Sequence, residues 1–398
     1  MRVVESLLGF KDKKTPILQQ RNSILKLLFI INIPNLILLF VVNKVIPDIY
    51  MDEEFHYRQF SFYQQNQFQS WDPKLTTPPG LYLLQRLTTI ILPPDLAVMR
   101  ALNCLLFSNI FVVYALKVYD FMEICPNNLS RALNLALTPT IFFFNFLDYT
   151  DAASISLVAV MFYYNLTKSE WRLGFVSLLA VFVRQNNLIW IIYLIIYRVL
   201  SDHKKQILIP KSLPSHFITI LKIFFTNKWQ ILRQCRFQII VVAAFLGFIK
   251  IYNNGQLVFG DHTHHRLTFH PNQLLYLSLF ILCNIPITIG EYINSINNFF
   301  QRIYISRHSL ASYLFVLSMS IILVDKYTLV HPFITDDNRH YTFYIYRYIM
   351  KHSFFRFGLC LVYAFAFHFI FKQIVNSELK LMRFILWLGA SFGYLCFS

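Results

Sequence analysis

The chain has 398 residues, of which 56% are hydrophobic and only 14% charged, with 41 Phe and 23 Tyr against 10 Gly. Soluble domains carry about a quarter charged residues, so an ordinary soluble fold is excluded. The net charge of +16 does not imply a nucleic-acid partner, because the basic residues are spread between apolar runs as in the loops of a membrane protein.

Those runs have the length that crosses a bilayer as helix, about 20 residues. In lipid every backbone amide needs an internal partner, so the runs are helices. The expectation is an all-α polytopic membrane protein, one transmembrane domain over 1–398. The basic N-terminus (Arg2, Lys11, Lys13, Lys14) precedes an apolar run at 24–46, too long for a signal-peptide core, which reads as a retained anchor with a cytosolic N-terminus. Further spans are expected at 97–118, 132–147, 150–166, 172–199, 237–253, 273–290, 309–325, 354–371 and 384–397. The run at 81–93 stops at Pro93-Pro94 and reads as a half-helix in one leaflet. The run at 172–199 is interrupted by Arg184-Gln185-Asn186-Asn187 and reads as a short hairpin. The segment 200–236 is strongly basic and is expected to be a cytosolic loop. Counting crossings outward from both ends then puts 47–80, 254–272 and 326–352 on one side, the lumen. No Cys-x-x-Cys pair occurs, so neither a disulfide framework nor a zinc knuckle is indicated.

The three lumenal segments hold the candidate chemistry. The first carries Asp52, Glu53 and His56, then Trp71 and Asp72 before the Pro78-Pro79-Gly80 turn. On a short interfacial helix Asp52 and His56 share a face while Glu53 points elsewhere. A carboxylate there can deprotonate a hydroxyl, and a solvated helix start fits the same acids. The second segment carries Asp261, His264 and His265. Its spacing matches no established zinc motif, and its imidazoles suit hydrogen bonds to phosphate or sugar. The third packs His331, Asp337, Asn338, Arg339, His340 and Tyr341 together; arginine there suits phosphate recognition, and an interfacial loop with an aromatic belt explains the same composition. Within the apolar runs, Asp148-Tyr149-Thr150-Asp151 and the Arg184-Gln185-Asn186-Asn187 interruption stand out because charge in lipid is costly.

Seven of these stretches, in order, resemble one family: YMDEEFH at 50–56, WDPKLTTPPGLY at 71–82, FFNFLDYTD at 143–151, RQNNLIW at 184–190, GDHTHH at 260–265, HPNQLLY at 270–276 and HPFITDDNRHYTFYIYR at 331–347. They look like the dolichyl-phosphate-glucose alpha-1,2-glucosyltransferases. The resemblance implies a GT-C type fold with interfacial helices in the first lumenal loop, in the endoplasmic reticulum membrane. It implies dolichyl phosphate glucose as donor, a diglucosylated dolichyl-diphosphate-linked oligosaccharide as acceptor, membrane lipid as surroundings, and inversion at the transferred glucose. It implies no cofactor and no metal at the chemical step, and an acid of the first lumenal loop as base, Asp52 with Glu53 as competitor. Family members run on past the final SELKLMRFILWLGASFGYLCFS; an inactive shortened homologue, or an enzyme using another dolichyl-phosphate sugar, are the alternative expectations.

Overall fold

The computed structural model describes residues 17–122, 128–203, 206, 213–260, 269–284, 289–328, 330, 335, 337–375 and 389. Among the described residues every regular element is helical. The span expected at 384–397 lies outside the described residues, as do Asp261, His264, His265 and His331. The chain divides into two compact units, Met1–His264 and His265–Ser398.

The first unit opens with α1 (Ile17–Val45), an apolar helix of 29 residues, long enough at about 1.5 Å per residue to cross a bilayer. The chain turns at Met51, whose φ of +57° lies in the left-handed region, into the interfacial α2 (Glu53–Gln64). The half-helix expected at 81–93 is α3 (Gly80–Thr88), nine residues long and too short to span. Next comes α4 (Leu96–Met122), a continuous span of 27 residues. Its turn over Leu102–Phe107 is a π-helix. Such a turn leaves backbone carbonyls misaligned, and here the Phe107 carbonyl accepts from Ser156 Oγ at 2.6 Å.

The span expected at 132–147 is not one helix. It divides into α5 (Asn128–Ala136) and α6 (Pro139–Phe144), because Pro139 supplies no amide and its ring disfavours helix in the residue before it. The helix α7 (Thr150–Leu166) follows. The run at 172–199 breaks where Arg184-Gln185-Asn186 interrupts it, giving α8 (Glu170–Val183) and α9 (Asn187–Asp202). The break is held by Asn187, which donates to the Ala180 carbonyl at 2.8 Å and accepts from Ser154 at 3.0 Å. The basic segment is not irregular. It carries α10 (Leu213–Thr226) and α11 (Lys228–Gln234), the latter meeting α12 (Arg236–Tyr252) at 84°.

The second unit holds α13 (Gln273–Asn284), α14 (Ile289–Ile305), α15 (Arg307–Tyr327) and α17 (Ser353–Val375); between α15 and α17, α16 (Tyr341–Ile345) continues into a π turn. Among the described residues four helices are long and apolar enough to cross a membrane: Arg21–Val45, Leu96–Met122, Arg307–Tyr327 and Ser353–Lys372. This is a multi-pass membrane protein.

Within the first unit the polar segment after α1 is packed down by an apolar cluster. It joins Phe60 and Tyr63 of α2, Leu75 of the loop before α3, Leu81 and Tyr82 of α3, Met99 and Phe107 of α4, and Ala152 and Ala153 of α7. The α3 entry touches α8 closely: a Cβ on Gly80 would lie 2.5 Å from the Phe182 carbonyl oxygen and 2.8 Å from the Val183 nitrogen. Backbone cannot give way as a side chain can. Gly80→Ala should therefore lower the melting temperature of the detergent-purified protein by the equivalent of about 1–3 kcal/mol, read by nano-differential scanning fluorimetry; an unchanged melt would refute the tight approach.

Candidate active site

The site is built from the start of α2, the 145–151 turn and the α8–α9 break. Its foundation is Glu53, whose side chain is fully buried. Arg100 on α4, equally buried, grips it through Nε to Oε1 at 2.9 Å and Nη2 to Oε2 at 2.5 Å. The same carboxylate accepts the amides of Tyr50 at 3.0 Å and Asp148 at 2.6 Å. Arg100 spends its other protons on Asn43 Oδ1 and on the carbonyls of Ile46 and Asp48, at 3.2, 2.7 and 3.0 Å. One ion pair thus ties together the exit of α1, the start of α2, the span α4 and the turn before α7.

Asp52, next to Glu53, sits at the N-cap of α2 and is half-buried. Its amide donates to the Tyr149 hydroxyl at 2.9 Å. One turn on, His56 lies against the Tyr149 ring, with centroids 5.2 Å apart. The Asp52 amide and the His56 ring thus both meet Tyr149, while the Glu53 side chain is buried against Arg100. His56 Nδ1 shares a 2.7 Å hydrogen bond with Tyr82, whose hydroxyl meets Thr77 at 3.1 Å. Burial pushes the His56 imidazole down to about 4; the nearby Asp151 opposes the shift and Arg184 adds to it. This histidine is neutral at physiological pH and works as a hydrogen-bonding group.

Asp151 in the first turn of α7 pairs with Arg184 at the α8–α9 break, and both are partly exposed. Gln185 donates to the Thr76 carbonyl at 2.8 Å, joining the break to the loop before α3. Asn186 is the N-cap of α9. The sequence therefore brings Asp52, His56, Asp151, Arg184, Gln185 and Asn186 into one unit. Trp71 and Asp72 serve the loop itself. Trp71 donates to the Leu75 carbonyl at 3.3 Å and packs edge-on against Tyr82. Asp72 is buried, accepts from Arg58 at 3.1 Å and from the Lys74 amide at 2.9 Å, and gives its own amide to Gln59.

Arg100, not singled out from the sequence, completes the arrangement together with Asp148 and Tyr149 of the Asp148-Tyr149-Thr150-Asp151 turn. Arg100 carried the same signal as Arg184, a cation inside an apolar run. Asp148 is fully buried, accepts from Gln85 at 2.6 Å and leaves its second oxygen without a partner. Burial first, and the neighbouring Glu53 carboxylate second, push its carboxyl up to about 7.

The second unit holds Asp337, Asn338, Arg339, His340 and Tyr341 at the start of α16. Arg339 closes a fork on Asp337, Nε to Oδ1 at 2.9 Å and Nη2 to Oδ2 at 2.7 Å. That fork holds the Asp337 carboxyl down at about 2. Asn338 and Arg339 are exposed, and His340 caps the helix.

The family model for the DIE2/ALG10 family matches residues 46–398. This chain belongs to that family. Among curated proteins it is similar to three named Dol-P-Glc:Glc(2)Man(9)GlcNAc(2)-PP-Dol alpha-1,2-glucosyltransferase. The Arabidopsis thaliana protein is 27% identical over 410 residues, covering 85% of this chain and 80% of the plant protein. The Drosophila melanogaster protein is 29% identical over 359 residues, with 84% and 77% covered. The Homo sapiens protein is 28% identical over 365 residues, with 81% and 75% covered. The matched region begins just before the turn that carries Asp52.

Two predictions follow from this geometry. Removing one member of a buried ion pair strands the other charge, at a cost of about 3–5 kcal/mol. Arg100→Met should therefore unfold the protein or sharply lower its melting temperature, while Arg100→Met with Glu53→Leu should recover part of the loss; no recovery in the double variant would mean that the pair is not the source. The second concerns pH. Between about 4 and 6.5 the folded His56 binds fewer protons than the unfolded one, so its share of stability rises with pH. Asp148 acts oppositely between 3.8 and about 7, since the folded carboxyl holds its proton longer. His56→Gln should make the melting temperature fall more steeply with rising pH than in wild type, and Asp148→Asn should make it rise; thermal melts across pH 4–7 check both.

Proposed function

We propose that this chain is a glucosyltransferase that moves glucose from dolichyl phosphate glucose to a diglucosylated, dolichyl-diphosphate-linked oligosaccharide, forming the terminal alpha-1,2 linkage. The observation that carries this reading is the family match over residues 46–398, together with relatives that bear that activity in their names. The finer parts of the reading are a GT-C type architecture, residence in the endoplasmic reticulum membrane, and a lumenal active site. They rest on the positive-inside argument and the resemblance of the seven sequence stretches.

The reaction is a single displacement with inversion. The acceptor 2-hydroxyl attacks glucose C1, its proton passes to a carboxylate, and the C1–O bond to the donor phosphate breaks with the electron pair leaving on the phosphate. The base must present a carboxylate oxygen to the acceptor. Glu53 has both oxygens engaged in the core, whereas Asp52 is half-buried at the helix start, which favours Asp52 as the base. Glu53 then acts as the anchor that orients it. Neutral His56, donating or accepting next to Tyr82, is suited to orienting a sugar hydroxyl. The leaving group is a phosphate that gains charge, so it needs cations rather than a proton. Arg184, partly exposed beside Asp151, has that chemistry; a like part for Arg339 and His340 of the second unit rests on the sequence resemblance alone. Trp71 and Asp72 shape the loop that carries these residues.

The test is glucose transfer to the diglucosylated lipid-linked acceptor in microsomes. Asp52→Asn should cost roughly 10²–10⁴-fold in turnover with donor binding and melting temperature kept. Retention of turnover in Asp52→Asn would remove Asp52 as the base. Transfer from a mannosyl but not a glucosyl donor would overturn the donor assignment.

A further inference from the structure

The second unit contains a cavity of about 240 Å³ that has no part in the proposed chemistry. It is lined by Phe299, Arg302 and Ile303 near the end of α14, by Ser309 and Ser312 in the first turns of α15, and by His368, Phe371 and Lys372 near the end of α17. These helix ends lie opposite the 328–352 segment, with the 21-residue α15 between them, which corresponds to about 30 Å. Two full cations therefore share one small space. Among the described side chains no carboxylate pairs with either Arg302 or Lys372. The cavity also lies beside the first turns of a long helix, where the backbone dipole favours negative charge although the Ser309 amide is itself taken by Ser306 Oγ at 3.3 Å. Its remaining wall is aromatic and aliphatic: Phe299 is buried against the His368 ring, with centroids 5.4 Å apart, while Phe371 is partly exposed.

Such a combination fits neither a sugar nor a metal ion. Two cations and serine hydroxyls at a helix start call for a phosphate, and the apolar wall calls for hydrocarbon beside it. The end that carries Arg302 and Arg307 is also the end that the positive-inside rule assigns to the cytosol, where the leaflet holds anionic lipid. We infer that this cavity binds the phosphate head group of an anionic phospholipid, with Arg302 and Lys372 as its cationic contacts and the Phe371 face along its acyl chains. None of its lining residues is one to which glucosyl transfer is assigned.

Native mass spectrometry of the full chain released from detergent micelles tests this, with phosphatidylinositol, phosphatidylcholine and inorganic phosphate as probes. Phosphatidylinositol should be retained in preference to phosphatidylcholine. Arg302→Gln should weaken its binding about fivefold, and adding Lys372→Gln should weaken it by about as much again. Arg302 is exposed, so the single variant keeps the question open to decision if the double variant fails to fold; an unchanged melt in phosphatidylcholine identifies a folded variant. Equal retention of the two lipids, or unchanged phosphatidylinositol binding in the folded variants, would overturn the inference. Binding of inorganic phosphate as tight as that of phosphatidylinositol would overturn it too, in favour of a soluble anion.

Discussion

The buried ion pair between Glu53 and Arg100 is the constraint on which the first unit depends. A charge left alone in the interior costs several kcal/mol, so neither residue tolerates the absence of the other. The geometry goes beyond the pair. Glu53 also accepts two backbone amides, and Arg100 also donates to two backbone carbonyls and a side-chain amide. All of those partners except Asn43 are backbone groups of turns that would otherwise be unsatisfied at the edge of an apolar interior. The pair therefore does for the irregular chain around residues 46–53 and 148 what a helix does for its own backbone.

Asp52 and Tyr149 hang directly from that frame. Asp52 follows the strained Met51 and precedes the anchored Glu53, so its backbone has little freedom. Tyr149 follows Asp148, whose amide is held by Glu53, and its own carbonyl accepts from the Asn103 amide of α4 at 2.9 Å. The amide-to-hydroxyl bond from Asp52 to Tyr149 closes the loop between them. His56 then rests on Tyr149 and reaches Tyr82. A half-exposed carboxylate, a neutral imidazole and a partly exposed arginine are thus carried by rigid parts rather than by long free loops, which is what positional catalysis requires.

Much of this was legible in the sequence. Apolar run lengths gave the helical membrane class, and the Pro93-Pro94 and Arg184-Gln185-Asn186 interruptions marked a short helix and a break. The four-residue spacing of Asp52 and His56 put them on one side of α2. What remained hidden was pairing. Composition does not distinguish an acid aimed at substrate from one aimed at a distant arginine, so the engagement of Glu53 by Arg100 is not legible, nor are the contacts by which Trp71 and Asp72 tie their loop to α2 and α3. Arg100 was passed over because a single cation near the end of a span also reads as one that snorkels to the interface. The division at Pro139 was missed because hydropathy sums over the run and ignores the missing amide.

The sequence distance across the Glu53–Arg100 pair, 47 residues, has a consequence for biogenesis. At about 5–20 residues per second, the ribosome has moved on for several seconds after making Glu53 before its arginine exists. During that interval Glu53 can stay hydrated at the membrane surface, because its partner on α4 does not yet exist. Arg100 faces the reverse situation: it enters the membrane with its partner already waiting at the surface. The order of synthesis thus spares either charge a solitary passage into the apolar interior.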